Sequence, residues 1–291
     1  MGGTLPGLSA EVSEERLREL GFDEWGYRRR SAIRPWAVEE ACRRMGVRPR
    51  QMAEARLEMA GCQGLMAVRD AEGRLHKRTL SDMEVEELCA EMLFFYIYGA
   101  LHNPTWRQRF APDLKKSLPR LPLPADAATL RRTAELGEKL ARLHMFGASG
   151  EGAADVATLL PELPDLRFVR EGEVVTPPLG GVHIGKMRLL AKDRRDVISI
   201  GEGLTLEGIP AEAYDYVVNG KSAIEWVLER VAVSQDKASG IVNDPNLWAA
   251  EHEDPDFAAE LLMRVVRISV ATVRLVTSEA GVWYSLFLDR Y

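Results

Sequence analysis

Residues 209–248 read IPAEAYDYVVNGKSAIEWVLERVAVSQDKASGIVNDPNLW. Alternation through Tyr214, Tyr216 and Val218 predicts a short half-buried strand. Asn219-Gly220 is a turn pair, because both residues tolerate positive φ. Ser222 followed three residues later by Glu225 is a capping box, which satisfies two otherwise unpaired backbone N–H groups. A helix is therefore predicted from Ser222, with Ile224, Val227, Leu228 and Val231 on its apolar face. Beyond it the apolar pattern stops. Gln235, Asp236, Lys237, Ser239, Gly240, Asn243, Asp244 and Asn246 make a dense polar run.

Upstream, residues 166–205 read as β. Short strands are predicted at 167–169, 173–176, 186–190 and 197–200, separated by turns. Lys186, Arg188, Lys192, Arg194 and Arg195 lie on or beside them. A β-ribbon can enter a major groove and present Arg or Lys to guanine. These strands, and the polar loop with Lys237, Ser239, Asn243 and Asn246, are the preferred candidates for contacting nucleic acid. Lys221, beside the turn, joins them. The loop has a second reading, because Asn243-Asp244-Pro245-Asn246 also suits a purely structural turn, in which Lys237 and Ser239 only hold it in place. Downstream, Asp254 and Asp256 put carboxylates at the positive end of a long predicted helix. Phe257, Leu261, Val265, Ile268, Thr272 and Val276 share one of its faces. The apolar tail, 282–291, reads either as a last strand or as a segment that docks onto a partner domain.

The first part of the chain reads as helical. Short helices are expected from Ser13, from Pro35 to Gly46, and from Pro49 to near Gly61. The last two have the spacing of a helix-turn-helix, in which Arg48, Arg50 and Gln51 would head a recognition helix. The same spacing fits an ordinary helical hairpin. A β-hairpin is expected over 65–79. Ser81-Asp82 begins the strongest helical pattern, with Val85, Leu88, Met92, Phe95, Tyr96 and Gly99 in period. Asn103 caps a further helix with Trp106, Phe110 and Leu114 facing in. Arg107, Arg109, Lys115 and Lys116 face out, either along a phosphate backbone or into solvent. Residues 126–146 make another amphipathic helix through Leu136, Leu140 and Leu143, and the Gly/Ala-rich stretch to Ala154 reads as a linker. The expected organisation is α+β: a segment over 1–83, a helical lobe over 84–150, and a β-rich lobe capped by helices over 151–291.

Composition is that of an ordinary globular protein of 291 residues. A net charge of −6 and a pI near 5.6 count against a freestanding DNA binder. The basic residues are nevertheless clustered, at 28–50, 107–120 and 186–195, and an acidic protein can still present one positive face. Cys42, Cys62 and Cys89 are far apart and form no CxxC pair, which predicts neither a zinc knuckle nor a disulfide framework and fits a reducing cytoplasm. No apolar run reaches the length of a membrane span, so no membrane association is expected.

Three ordered blocks carry a resemblance. NGKSAIEWVLERVAVSQDKASGIVNDPN, FYIYGALHNPTWRQRFAPDLKKSLPRLPL at 95–123, and GEKLARLH at 137–144 resemble the C-terminal specificity region of type ISP enzymes. These are single-polypeptide, DNA-translocating restriction–modification enzymes. Met145-Phe146 stands where the family's pattern has a polar-aromatic pair. Residues 1–80 carry no such block. The resemblance implies sequence-specific recognition of double-stranded DNA in a restriction–modification or related phage-defence system. It also implies, as attached domains or separate subunits, a nuclease, an ATP-driven translocase and an adenine methyltransferase.

Catalytic signals are not read in the chain. GGVHIGK at 180–186 meets the first part of a phosphate-loop pattern, but Met187 stands where Ser or Thr would hold magnesium, and a strand follows rather than a helix. Asn103-Pro104-Thr105-Trp106 resembles an amino-methyltransferase motif only superficially. His102, His144, His183 and His252 have no partner at metal-ligand spacing. No enzyme activity and no cofactor are therefore expected. A different class remains open on the acidic pI: a non-catalytic scaffold that binds protein partners.

Overall fold

Helix caps and tight turns place most elements where local chemistry calls for them. The computed structural model describes residues 31–61, 67–69, 74–114, 116–146, 157–191 and 193–278. The helix from Ser13, most of the linker and the apolar tail lie outside them. In chain order the elements are α1 (Pro35–Met45), α2 (Pro49–Met59), β1 (Ala67–Arg69), β2 (Leu75–Lys77), α3 (Asp82–Leu101), α4 (Pro104–Arg109), α5 (Ala111–Leu114) and α6 (Ala127–Phe146). There follow β3 (Arg167–Arg170), β4 (Glu173–Val175), β5 (Arg188–Ala191), β6 (Arg194–Gly201), β7 (Leu204–Glu207), β8 (Val217–Val218), β9 (Lys221–Ser222), α7 (Ala223–Arg230), β10 (Ser234–Gln235), β11 (Val242–Asn243), α8 (Pro245–Glu251) and α9 (Phe257–Ser278). The fold is α+β, helical first and β-rich afterwards. The chain divides into two compact units, 1–94 with 122–131, and 95–121 with 132–291.

In the first unit, Gly46 ends α1 in the left-handed region (φ 66°), a conformation that favours glycine. Val38, Ala41 and Cys42 of α1 and Met52, Ala53 and Leu57 of α2 are buried. Arg56, only 4 % exposed, is held by Glu91 through Nε–Oε2 (3.0 Å) and Nη2–Oε1 (3.1 Å). At the head of α2 the Arg48 amide donates to Gln51 Oε1 (2.8 Å), and Arg50 pairs with Asp82 (3.0 Å). Two of the three residues that a recognition helix would present are thus engaged within this unit. The hairpin pairs Ala67 with Lys77 and Arg69 with Leu75.

The second unit is built on an antiparallel sheet of order β4-β3-β7-β6-β5. Its register sets Val175, Phe168, Leu206, Ile198 and Leu189 in one row across all five strands. This row joins Ile224 of α7 and Leu262, Val266 and Val270 of α9 in a single apolar cluster. Glu171-Gly172, Glu202-Gly203 and Asn219-Gly220 each supply two successive positive φ values. These are the backbone angles that a two-residue turn needs to match strand twist.

Several expectations are corrected. β7, the centre of the sheet, is absent from the strands read in the sequence. Its Leu204 and Leu206 give only two apolar beats, and the Glu-Gly pair before it is a weaker turn signal than Asn-Gly. The strand expected through Tyr214 and Tyr216 is instead a 3₁₀ turn (Ala211–Tyr214) followed by the two-residue β8. Tyr214 turns inward: its hydroxyl donates to the Arg195 carbonyl (2.7 Å). The strand expected from Lys186 begins at Arg188. The helix after Asn103 breaks at Phe110 into α4 and α5. On α9 the deepest residues are Ala259, Leu262, Val266, Ser269, Val270, Ala271 and Thr272, of which only Thr272 belongs to the expected face. The reason is that α9 is covered on more than one side. Leu262 and Val266 meet the sheet cluster, while Ile268, Ala271 and Leu275 meet Leu143 of α6.

The second half of α3 and α6 cross through two glycines. A Cβ on Gly137 would sit 1.8 Å from the Phe95 carbonyl oxygen, and one on Gly99 would sit 2.4 Å from that of Thr133. Beside this crossing is a ring cluster that sequence spacing does not reveal. The Tyr98 hydroxyl lies 2.7 Å from His144 Nδ1, and His144 Nε2 lies 2.9 Å from Thr272 Oγ1. Thr272 gives its own proton to the Ile268 carbonyl (2.8 Å), so it accepts from Nε2, and Tyr98 donates to Nδ1. His144 is therefore neutral with both nitrogens satisfied. Tyr216 stacks on it at 5.3 Å and 18°, and His102 lies 5.3 Å away. Burial, and then the neighbouring His102, push the His144 pKa down to about 4.

Two outcomes follow. Gly137→Ala forces the helices apart and lowers the unfolding free energy by about 1–3 kcal/mol or more, read from the urea midpoint. His144 is proton-free in the folded state below its unfolded pKa of 6.5. Its contribution is whole above that pH and is lost as pH falls toward about 4, costing on the order of 3 kcal/mol. Urea unfolding at stepped pH should show this slope in the natural chain and a flatter one in His144→Gln; equal slopes would rule His144 out as its source.

Candidate nucleic-acid interface

The polar run folds into a pinned hairpin. β10 and β11 pair Gln235 with Val242 and Ser234 with Asn243. At the tip, Asp236 accepts from the amides of Ala238 (3.1 Å) and Ser239 (2.7 Å) and from the Ser239 hydroxyl (2.8 Å). Those donors, the Ser239 amide foremost, hold its carboxyl below the usual carboxylate range. Gly240 closes the turn at φ 73°, and the Asp236 amide donates to the Ile241 carbonyl (2.9 Å). At the base, Asn243 Nδ2 donates to the carbonyls of Arg230 (3.3 Å) and Ala232 (3.2 Å).

The hairpin is tied to the segment before β5. Asn246 pairs with Ile184 like a strand neighbour: its Nδ2 donates to the Ile184 carbonyl (2.9 Å), and its Oδ1 accepts the Ile184 amide (2.8 Å). The Val233 amide donates to Gly185 O (3.0 Å), and Lys186 forms an isolated bridge with Ala232. Two stretches singled out from the sequence, about fifty residues apart, thus share one scaffold. The same bonds account for GGVHIGK. The Gly181 amide is taken by buried Asp256 (2.9 Å), that of His183 by Glu202 (3.1 Å) and that of Ile184 by Asn246. A phosphate cradle needs such amides open.

The candidate cations differ in what they have left to offer. Lys186 and Arg188, on and before the edge strand β5, are exposed and have no side-chain partner among the described residues. Lys237 at the hairpin tip and Lys116 after α5 share that condition. Arg194 is paired with Asp196 (3.1 Å). Arg195 lies over the Tyr214 ring (3.9 Å) and 3.5 Å from Glu225. Lys221 pairs with Glu229 and sits 5.0 Å from the Trp226 ring centre. Arg107 donates to the Val217 carbonyl (2.5 Å), which brings it to the β8–β9 hairpin that carries Lys221. Ser239 and Asn243 Nδ2 bond within the hairpin, and Asn246 bonds Ile184. Lys115 and Lys192 lie outside the described residues. The polar run also carries apolar side chains that sequence reading passed over: Ile241, Val242 and Leu247 are exposed. Trp248 stacks on His252 at 4.0 Å and 14°. Their signal was only the interruption of a polar stretch by Ile-Val and Leu-Trp.

Among the described residues no cluster of His, Cys, Asp or Glu could hold a metal ion, and no helix is long and apolar enough to cross a membrane. Residues 8–261 match the family described as the type ISP C-terminal specificity domain. The chain belongs to this family. The match extends into the first 80 residues, where no block of sequence resemblance stands. Two solved type ISP structures are similar to it. One is a nuclease-deletion mutant of the restriction–modification enzyme LlaGI in complex with a DNA substrate mimic, at 31 % identity and a TM-score of 0.52, covering 70 % of this chain and 14 % of that one. The other is the ATP-dependent enzyme LlaBIII bound to DNA, at 28 % identity and a TM-score of 0.52, covering 72 % and 13 %. The specificity domain thus spans about one-seventh of the length of those enzymes. No protein with a curated description matches it.

Asn246→Ala leaves the Ile184 amide and carbonyl unpaired. It should lower stability by about 1–3 kcal/mol and speed amide hydrogen exchange at Ile184 and Val233, while exchange in β3 and β7 stays unchanged. Uniform exchange across both regions would mean that the hairpin is not tied down by this residue.

Proposed function

We propose that this specificity domain recognises a short double-stranded DNA sequence and directs the methyltransferase and nuclease of a restriction–modification system, joined to it in one chain or assembled with it. The carrying observation is the family match over 8–261. Exposed, unengaged Lys186, Arg188 and Lys237 on one pinned scaffold are consistent with it. In this reading those cations meet phosphates or guanine edges. Arg107, Lys116, Lys221, Arg194 and Arg195, with Lys115 and Lys192, supply further phosphate contacts that position the duplex. Ser239, Asn243 and Asn246 act by holding the hairpin's shape. The domain itself performs no chemistry, and its partners are the duplex and the catalytic domains.

Selection from a randomised duplex pool at two salt concentrations tests this. One short sequence should be enriched, with affinity falling as salt rises. Lys186→Ala and Arg188→Ala should each weaken binding. A phosphate contact would lower the salt slope by about one and a base contact would relax one position of the selected sequence. A chain that binds no duplex at low salt overturns autonomous recognition. It would leave the protein-binding scaffold, which the net charge of −6 favours.

A further inference from the structure

Ile241 is 68 % exposed, next to the tip of a hairpin that otherwise carries no large apolar side chain between Asp236 and Gly240. Nothing in the hairpin requires an apolar residue there, since Ile241 is held through its backbone: its carbonyl accepts the Asp236 amide (2.9 Å) and its amide donates to Ser239 Oγ (3.3 Å). Those bonds and the Asp236 turn fix the direction of the β11 strand without using its side chain. Val242, its neighbour on the opposite face of the ribbon, is exposed as well. The ribbon is therefore pre-ordered, two strands wide, and carries an unengaged lysine (Lys237) four residues before an unburied branched side chain. A two-stranded ribbon fits the major groove, where the apolar group on a base edge is the thymine 5-methyl. A rigid backbone lets such a contact form without an ordering cost.

We infer that the 234–243 hairpin enters the major groove, with Lys237 on a phosphate and Ile241 against the 5-methyl of one thymine in the recognised sequence. The inference rests on the DNA-recognition reading above and adds a residue that reads a base through apolar contact.

The test uses the duplex selected by the chain, with each thymine replaced singly by deoxyuridine, which removes only the methyl group. One replacement should weaken binding by the natural chain about fourfold, the equivalent of exposing one buried methyl-sized group. Ile241→Ala should bind the unmodified duplex that much more weakly and be indifferent to that one replacement, while responding like the natural chain at every other thymine. Its thermal unfolding should be unchanged, because the side chain is exposed. A flat uracil profile, a selected sequence without thymine, or an Ile241→Ala profile identical to that of the natural chain each overturns the inference and leaves sequence recognition standing. Failure to select any sequence overturns the underlying reading instead.

Discussion

Five side chains, one from each strand of the sheet, carry the second unit: Val175, Phe168, Leu206, Ile198 and Leu189. Phe168, Leu206 and Ile198 are fully buried, each worth roughly 1.5–3 kcal/mol, and Val175 and Leu189 are partly buried at the two edges. The row holds only while every strand keeps its register, because a slip of one residue turns each strand's apolar set to the other face. Two Glu-Gly turns fix that register between β3 and β4 and between β6 and β7. Leu262, Val266 and Val270 of α9 close over the row. Asp256, just before α9, takes the Leu179 and Gly181 amides and so anchors the loop that leads to Lys186. The placement of the candidate interface descends from this packing.

Around that core, most of the polar chemistry that looks suited to recognition is spent on architecture. Asn246 stands in for a strand, Asp236 and Ser239 build a turn, and Asn243 satisfies two carbonyls. Arg194, Arg195 and Lys221 face carboxylates within the fold. These exposed pairs contribute little stability. They still lower the local positive charge, so an acidic protein is left with a few cations unmatched. Unmatched charge on a pinned backbone suits a domain that must discriminate among DNA sequences more than one that binds any duplex tightly, since nonspecific affinity scales with the number of phosphates neutralised.

At the head of α2 and in the polar loop the structure shows which side chains are already bonded within the fold. At α2, Gln51 caps its own helix and Arg50 meets Asp82, as an ordinary helical hairpin would have it. In the loop, Ser239 and Asn246 serve the turn, while Lys237 stands outside it. Neither arrangement was visible from residue type, because the same Asn, Ser or Gln can bond its own backbone or a ligand with equal ease. The ring cluster of Tyr98, His102, His144 and Tyr216 was hidden for a different reason. Tyr98 and His102 are four residues apart at the end of α3, but His144 and Tyr216 lie on other segments, and no spacing rule links them to that pair.

Local chemistry in the sequence determined the capping box of α7, the Asn219-Gly220 turn, the long helices at 82–101 and 127–146, and the blocks of residues that mark the specificity-domain family. Each depends on neighbours within a few positions. Tertiary structure alone decided that β7 is the central strand, that α9 is covered on more than one side, and that residues 184–186 and 232–246 form one body. It also decided which lysines and arginines remain unpaired. Those outcomes depend on which elements cover one another and on which carboxylate a long side chain can reach, and both are set by contacts between residues far apart in the chain.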